Sequence, residues 1–214
     1  MNIPFEAKQN VLFIGDSITD CGRERPFGRR KGNLGAGYVS FIDSILGAAL
    51  PELPLRVLNT GISGNRVTDL EARWQSDVLD LQPDWLSVMI GINDVWRQFD
   101  GEPRMPQVDA GKYESVYRSL LAQTRSKLKG LVLMTPYFLE TNRGDPMRAM
   151  MDEYGAITKK LAAEFDAVFV DLQAAFDHYL AHQPTQSLCA DRVHPNSVGH
   201  MIIARTFLDA VGVR

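Results

Sequence analysis

Five short apolar runs, at residues 11–14, 55–58, 85–90, 131–134 and 167–170, punctuate the chain, and the stretches between them carry helical spacing. The runs are of strand length and, as a set, rich in β-branched and aromatic residues. Most lack the strict alternation of a strand with one wet face, so they read as strands covered on both sides. Between them, residues 68–79 place Leu70, Trp74 and Val78 at helical spacing, with Thr68 or Asp69 as a start signal. Residues 113–128 and 147–165 read as longer helices, and 197–211 follows His194-Pro195-Asn196, a cap region. Strands alternating with helices require right-handed crossovers and a parallel sheet. The expected architecture is α/β: one three-layer α/β/α domain over residues 1–214, with five parallel strands.

Composition agrees. With 214 residues, 45% of them hydrophobic, the chain is long and apolar enough for one sizeable core, burying roughly 70% of its unfolded surface. A net charge of −3 gives no generally basic surface, which argues against nucleic acid or an anionic membrane as partner. No apolar run approaches the roughly 20 residues that cross a bilayer. The start, MNIPFEAKQN, lacks the charged beginning and apolar core of a signal peptide, and two cysteines are too few for a disulfide scaffold. A cytoplasmic protein is expected. Two connections look long, 20–37 and 93–109. The first holds Arg23, Arg25, Arg29, Arg30 and Lys31, read either as a solvated basic loop or as a contact for an anionic partner or another subunit.

In parallel sheets the working residues gather after the carboxyl ends of strands. The first run ends in VLFIGDSITD, which brings Ser17 to the rim. A helix beginning there would aim backbone N–H groups at the same place. A serine hydroxyl needs a neighbouring base before it attacks anything. His178, His182, His194 and His200 are the choices, and His194 in DRVHPN lies three residues after Asp191. That separation lets a carboxylate hold Nδ1–H and leaves Nε2 free to accept the serine proton. His178 and His182, four apart, read as a solvated helix face, and His200 as a packing or capping residue. Oxyanion donors are available after two further strands: Gly64 in NTGISGN and Asn93 in GIND, beside the Ser17 N–H. Each piece alone reads as an ordinary turn; their conjunction points to acyl transfer.

GDSITD, NTGISGN, GIND and DRVHP, in that order, resemble the motifs of the SGNH (GDSL-type) hydrolases, and the resemblance runs from Val11 to the final helix. It implies a flavodoxin-like sheet, Ser17 as nucleophile, His194 as base, Asp191 as its orienting acid, and an oxyanion hole of Ser17, Gly64 and Asn93. It implies no metal and no organic cofactor. With GYV, ARW, MIGINDVWRQ, LMTP and DPMR added, the chain is similar to the intracellular acetylxylan esterases of that family, which deacetylate xylo-oligosaccharides. A homo-oligomer of unspecified size is implied too. One departure stands out: those relatives carry a tryptophan immediately before the motif aspartate, where this chain has Ala190. The other readings open to the same motifs are an esterase, lipase or thioesterase acting on other short acyl esters, and a carbohydrate-binding protein with a vestigial site.

Trp96 and Arg97 follow GIND directly and are expected to overhang the pocket and touch substrate, with packing as the competing reading. Tyr137 and Phe138 leave another strand end and read as packing residues, as do Trp74 and Trp85. The glycines of GNLGAGY lack a clear preceding strand and a following GKS or GKT, so no nucleotide loop is read there. Cys21 and Cys189 flank the serine and aspartate motifs, so their sulfurs are expected near one another without a constitutive disulfide.

Overall fold

The computed structural model describes residues 4–30, 32–100 and 106–213. Lys31 and part of the second long connection lie outside them. Strand β1 (Asn10–Gly15) ends in the short helix α1 (Ser17–Asp20), and β2 is the two-residue strand Gly28–Arg29. Helix α2 (Tyr38–Ala49), β3 (Arg56–Asn59), α3 (Val67–Trp74), β4 (Trp85–Met89), α4 (Ile92–Trp96) and α5 (Ala110–Thr124) follow. The chain closes with β5 (Gly130–Met134), α6 (Pro146–Glu164), β6 (Val168–Val170), α7 (Leu172–Leu180) and α8 (Ser197–Ala210).

The strands form one sheet in the order β2-β3-β1-β4-β5-β6. The five expected strands pair in parallel, and the two-residue β2 adds an antiparallel edge on β3, Gly28 opposite Asn59. No apolar run marked β2, because an edge strand this short needs no buried face. Helices α2, α8 and α7 pack along one face, and α3, α5 and α6 along the other. All five residues of β4 and of β5 are buried, which explains their unalternating sequence. Strand order reverses at β1, whose neighbours are β3 and β4. That switch point opens a crevice at the carboxyl ends.

Local chemistry moved several boundaries. Helix α3 starts one turn-position earlier than expected: Arg66 is its N-cap, and Asp69 accepts from the Arg66 backbone N–H at 2.8 Å. It then widens into a π-helical turn at Gln75–Leu79. Helix α5 begins at Ala110 because Asp109 caps it, accepting from Lys112 N–H at 2.8 Å. Trp74 and Trp85 are buried as expected, Trp74 donating to Thr124 Oγ1 at 2.8 Å. Tyr137 and Phe138 are buried too. Among the described residues no helix is long and apolar enough to cross a membrane.

Candidate active site

Strand β1 must end in glycine. A Cβ on Gly15 would lie 2.3 Å from the Met89 carbonyl and 2.4 Å from Thr19 Oγ1. This close passage against β4 lets the chain turn at once into α1. Asp16 caps that helix, accepting from Ile18 N–H at 3.0 Å, and Ser17 stands at its first position. Asp16 is buried, and desolvation pushes its carboxyl up to about 7 against the pull of the Ile18 N–H and the nearby His194.

Ser17 Oγ lies 2.8 Å from His194 Nε2, and His194 Nδ1 lies 2.6 Å from Asp191 Oδ2. A carboxylate only accepts, so Nδ1 carries the proton and Nε2 is the acceptor facing the hydroxyl. Asp191 Oδ1 accepts from the backbone N–H of His194 at 2.9 Å and of Val193 at 3.0 Å. Partial burial works against an ionised Asp191, but the His194 ring and these two N–H groups outweigh it and hold its pKa below the usual value. Asn196 caps α8 two residues later, accepting from Val198 N–H at 3.0 Å. The loop is therefore a run of side-chain-to-backbone bonds ending in a helix.

The other strand ends are knitted to this line. Gly64 sits at φ +82°, a backbone conformation that excludes most side chains. Asn93, 3% exposed, donates through Nδ2 to the Asn65 carbonyl at 3.0 Å, which locks the amide nitrogen beside the Gly64 turn. Asp94 accepts from Val67 N–H at 3.0 Å and is pushed up to about 7 by its burial. Ile62 N–H donates to the Gly15 carbonyl at 3.1 Å, and Ser63 N–H to Asp20 Oδ2 at the same distance. Trp96 borders the imidazole, ring centroids 6.0 Å apart and planes at 59°. Arg97 stacks over Trp96 at 5.1 Å and pairs with Asp100.

Within the basic loop, Arg23 departs from the reading of a solvated loop. Arg23 is buried, its Nε donating to the Gly61 carbonyl at 2.7 Å. Arg25 pairs with Asp20 at 2.7 Å and Arg30 with Asp43 at 2.6 Å. Arg23 is thus an internal fastener, while Arg25 and Arg30 stay exposed to solvent and are pinned by their carboxylates. His200 is buried as a capping residue, its Nδ1 accepting from Tyr38 N–H at 3.2 Å at the start of α2. Its Nε2 faces Cys21 Sγ at 3.4 Å. Cys21 and Cys189 are both free, and burial raises the Cys21 thiol to about 12. His178 and His182 touch edge to face at 5.5 Å, His182 lying just past the end of α7. Among the described residues no group of three or more potential metal ligands gathers. Arg73, Asp20 and Asp94 escaped the sequence reading as site supports; only the place of Arg73 within ARW, and of Asp94 and Asp20 within their motifs, hinted at them.

A serine hydroxyl, an imidazole and a carboxylate joined end to end, at the carboxyl rim of a doubly wound sheet, have the layout of a hydrolase site. Comparison narrows the class. Residues 13–202 match the GDSL-like Lipase/Acylhydrolase family. An acetylxylan esterase from Geobacillus stearothermophilus is 52% identical over 207 residues, covering 95% of this chain and 94% of that protein. The crystal structure of Axe2, an acetylxylan esterase from the same organism, matches with a TM-score of 0.96 at 50% identity, over 99% of both chains. LAE5, an alpha/beta hydrolase enzyme from the metagenome of Lake Arreo, matches with a TM-score of 0.95 at 46% identity, over 99% of this chain and 98% of its own. Solved forms of Axe2 include catalytic mutants with a serine, a histidine or an aspartate replaced by alanine. The chain belongs to the GDSL-like lipase/acylhydrolase family. It is accordingly a carboxylic ester hydrolase.

Proposed function

We propose that this hydrolase removes acetyl groups from acetylated sugars, xylo-oligosaccharides first among them, with Ser17 as nucleophile, His194 as general base and acid, and Asp191 as the orienting carboxylate. The observation that carries the reading is the unbroken line from Ser17 Oγ through the imidazole to Asp191, 2.8 Å and 2.6 Å long. Ser17 Oγ attacks the ester carbonyl carbon as its proton passes to His194 Nε2. The oxyanion accepts from Ser17 N–H, Gly64 N–H and Asn93 Nδ2. Collapse breaks the bond to the sugar oxygen, which leaves with the proton from His194, and an acetyl-enzyme remains. Water then gives its proton to His194 and attacks the same carbon. The second collapse releases acetate and returns the proton to Ser17. Removing one donor of such a hole typically costs about 10²–10³ in turnover.

The sugar preference rests on the acetylxylan esterase relatives and on Trp96, whose indole offers a stacking face beside His194 while Arg97 offers donors for hydroxyls. A cytoplasmic homo-oligomer belongs to the same reading. Supporting a subunit contact, Val198 and Met201 on α8 are 48% and 37% exposed beside Phe41 of α2. Residues 1–214 are read as a single hydrolase domain, consistent with one continuous core from Phe5 to Val213. The deciding experiment measures acetate release from acetylated xylose, glucose and chitin oligomers against hydrolysis of medium-chain aryl esters. A clear preference for acetylated xylose oligomers is expected. Equal or faster turnover of the medium-chain esters would replace the sugar reading with a general acyl esterase.

A further inference from the structure

The loops that carry the three oxyanion donors converge on a side chain outside the triad. Arg73 lies in the last turn of α3, its side chain only 13% exposed. Its Nε donates to Asn65 Oδ1 at 2.7 Å, one Nη to the Thr60 carbonyl at 2.6 Å, and the other Nη to the Gly15 carbonyl at 3.1 Å. Asp77, one turn further along, holds the guanidinium from behind at 2.6 Å.

Each acceptor is tied to a proposed donor. Gly15 lies two residues before Ser17. Thr60 and Asn65 bracket the turn that contains Gly64. Asn65 also receives Asn93 Nδ2 on its backbone carbonyl at 3.0 Å. One planar ion thus touches the end of β1, the end of β3 and, through Asn65, the start of α4. A guanidinium presents its nitrogens in a fixed plane, so it sets distances between acceptors; an ammonium is a single point with no such fork.

We propose that Arg73 is a positioning residue for the oxyanion hole, its fork setting the separation between the Ser17, Gly64 and Asn93 donors. The inference rests on the donor roles given under Proposed function. Two other fastenings keep the 60–65 turn folded without Arg73: Arg23 on the Gly61 carbonyl at 2.7 Å, and Asp20 on Ser63 N–H at 3.1 Å. Loss of Arg73 therefore displaces the donors rather than unfolding the turn. A displacement near 1 Å at a reacting centre costs about 10²-fold in rate.

The test is a kinetic cycle on the full chain with an acetylated xylo-oligosaccharide: wild type, Arg73→Lys, Asn93→Ala and the double variant. Arg73→Lys should lower kcat by at least about tenfold with KM within about threefold, and Arg73→Ala by about 10²-fold. If Arg73 works through the donors, Asn93→Ala should cost far less in the Arg73→Lys background than in wild type, the double variant staying within about fivefold of Asn93→Ala alone. Wild-type kcat in Arg73→Lys would overturn the proposal, as would losses that simply multiply. If both Arg73 variants fail to fold, Arg73 serves the fold instead, and the proposal is again overturned. Full activity of Asn93→Ala would instead sink the donor assignment itself, and the inference with it.

Discussion

Ser17 leaves a strand whose residues Val11, Leu12, Phe13 and Ile14 are at most 1% exposed, whereas His194 and Asp191 stand on a loop with side chains 45% and 43% exposed. The proposed nucleophile is placed by sheet hydrogen bonds and by the absence of a side chain at Gly15. The proposed base is placed by individual fastenings. Leu139 N–H donates to the Arg192 carbonyl at 3.0 Å, Arg192 pairs with Glu140 at 2.8 Å, and Asn196 donates to the Ser187 carbonyl at 2.9 Å. Arg192 itself takes a φ of +64°, an uncommon backbone state that the surrounding bonds hold in place. The contrast teaches that injury on the two sides should show differently. Damage to the strand arm should appear as lost stability, and damage to the loop arm as lost turnover.

Ser17→Ala removes the proposed attacking atom without touching the strand, so turnover on an acetylated xylo-oligosaccharide should fall by about 10⁴–10⁶-fold while the melting temperature holds. Asp191→Asn comes next. It keeps the loop's shape but loses the charge that holds the Nδ1 proton, and about 10³–10⁴-fold in kcat should go, again with little change in melting temperature. A large drop in stability for Asp191→Asn would erase the distinction between the arms. Gly15→Ala tests the other side: its Cβ must push against the Met89 carbonyl, a backbone atom, from 2.3 Å. Denaturant unfolding should show at least about 2 kcal/mol of lost stability.

A pH-dependent test lies at the seam. His200, on α8 just after the His194 loop, contacts Cys21 at the end of α1. Burial, aided by the charge of His194, pushes the His200 pKa from 6.5 down to about 4. As pH falls through this window the unfolded chain binds the proton before the folded chain does, so stability is lost between about 6.5 and about 4. Asp16 and Asp94, both raised to about 7, act with the opposite sign, because their folded forms hold protons more tightly as pH rises from the ordinary carboxylate range. The wild-type profile mixes these slopes. The difference between wild type and His200→Gln isolates one, and should change by on the order of 3 kcal/mol between pH 7.5 and pH 4. Parallel profiles for the two proteins would place His200 outside the acid response.

Five strands and the α/β/α class were legible in the chain because each depends on local information, and Ser17, Asp191 and His194 were legible as candidates at a strand end and in one capped loop. A buried strand is a short apolar run, and a catalytic loop carries its own turn and cap residues. Asp191 reaches the His194 backbone three residues away, so the spacing itself announced the contact. The arginines were not legible. Arg23 finds the Gly61 carbonyl 38 positions on, and Arg73 finds Gly15 58 positions back. In sequence they look like any surface charge, and Arg23 and Arg25 sit in a cluster that resembles a solvated loop.

The amino-acid order alone determined which segments are buried and which residue types arrive at the strand ends, since hydrophobic periodicity and capping act over a few residues. Tertiary structure decided which carbonyl each guanidinium meets, the 2.8 Å approach of His194 to a serine 177 positions away, and the antiparallel edge at Gly28. These depend on how the sheet stacks its strands and how the crossovers aim their helices. Such long-range distances are set only when the whole core closes.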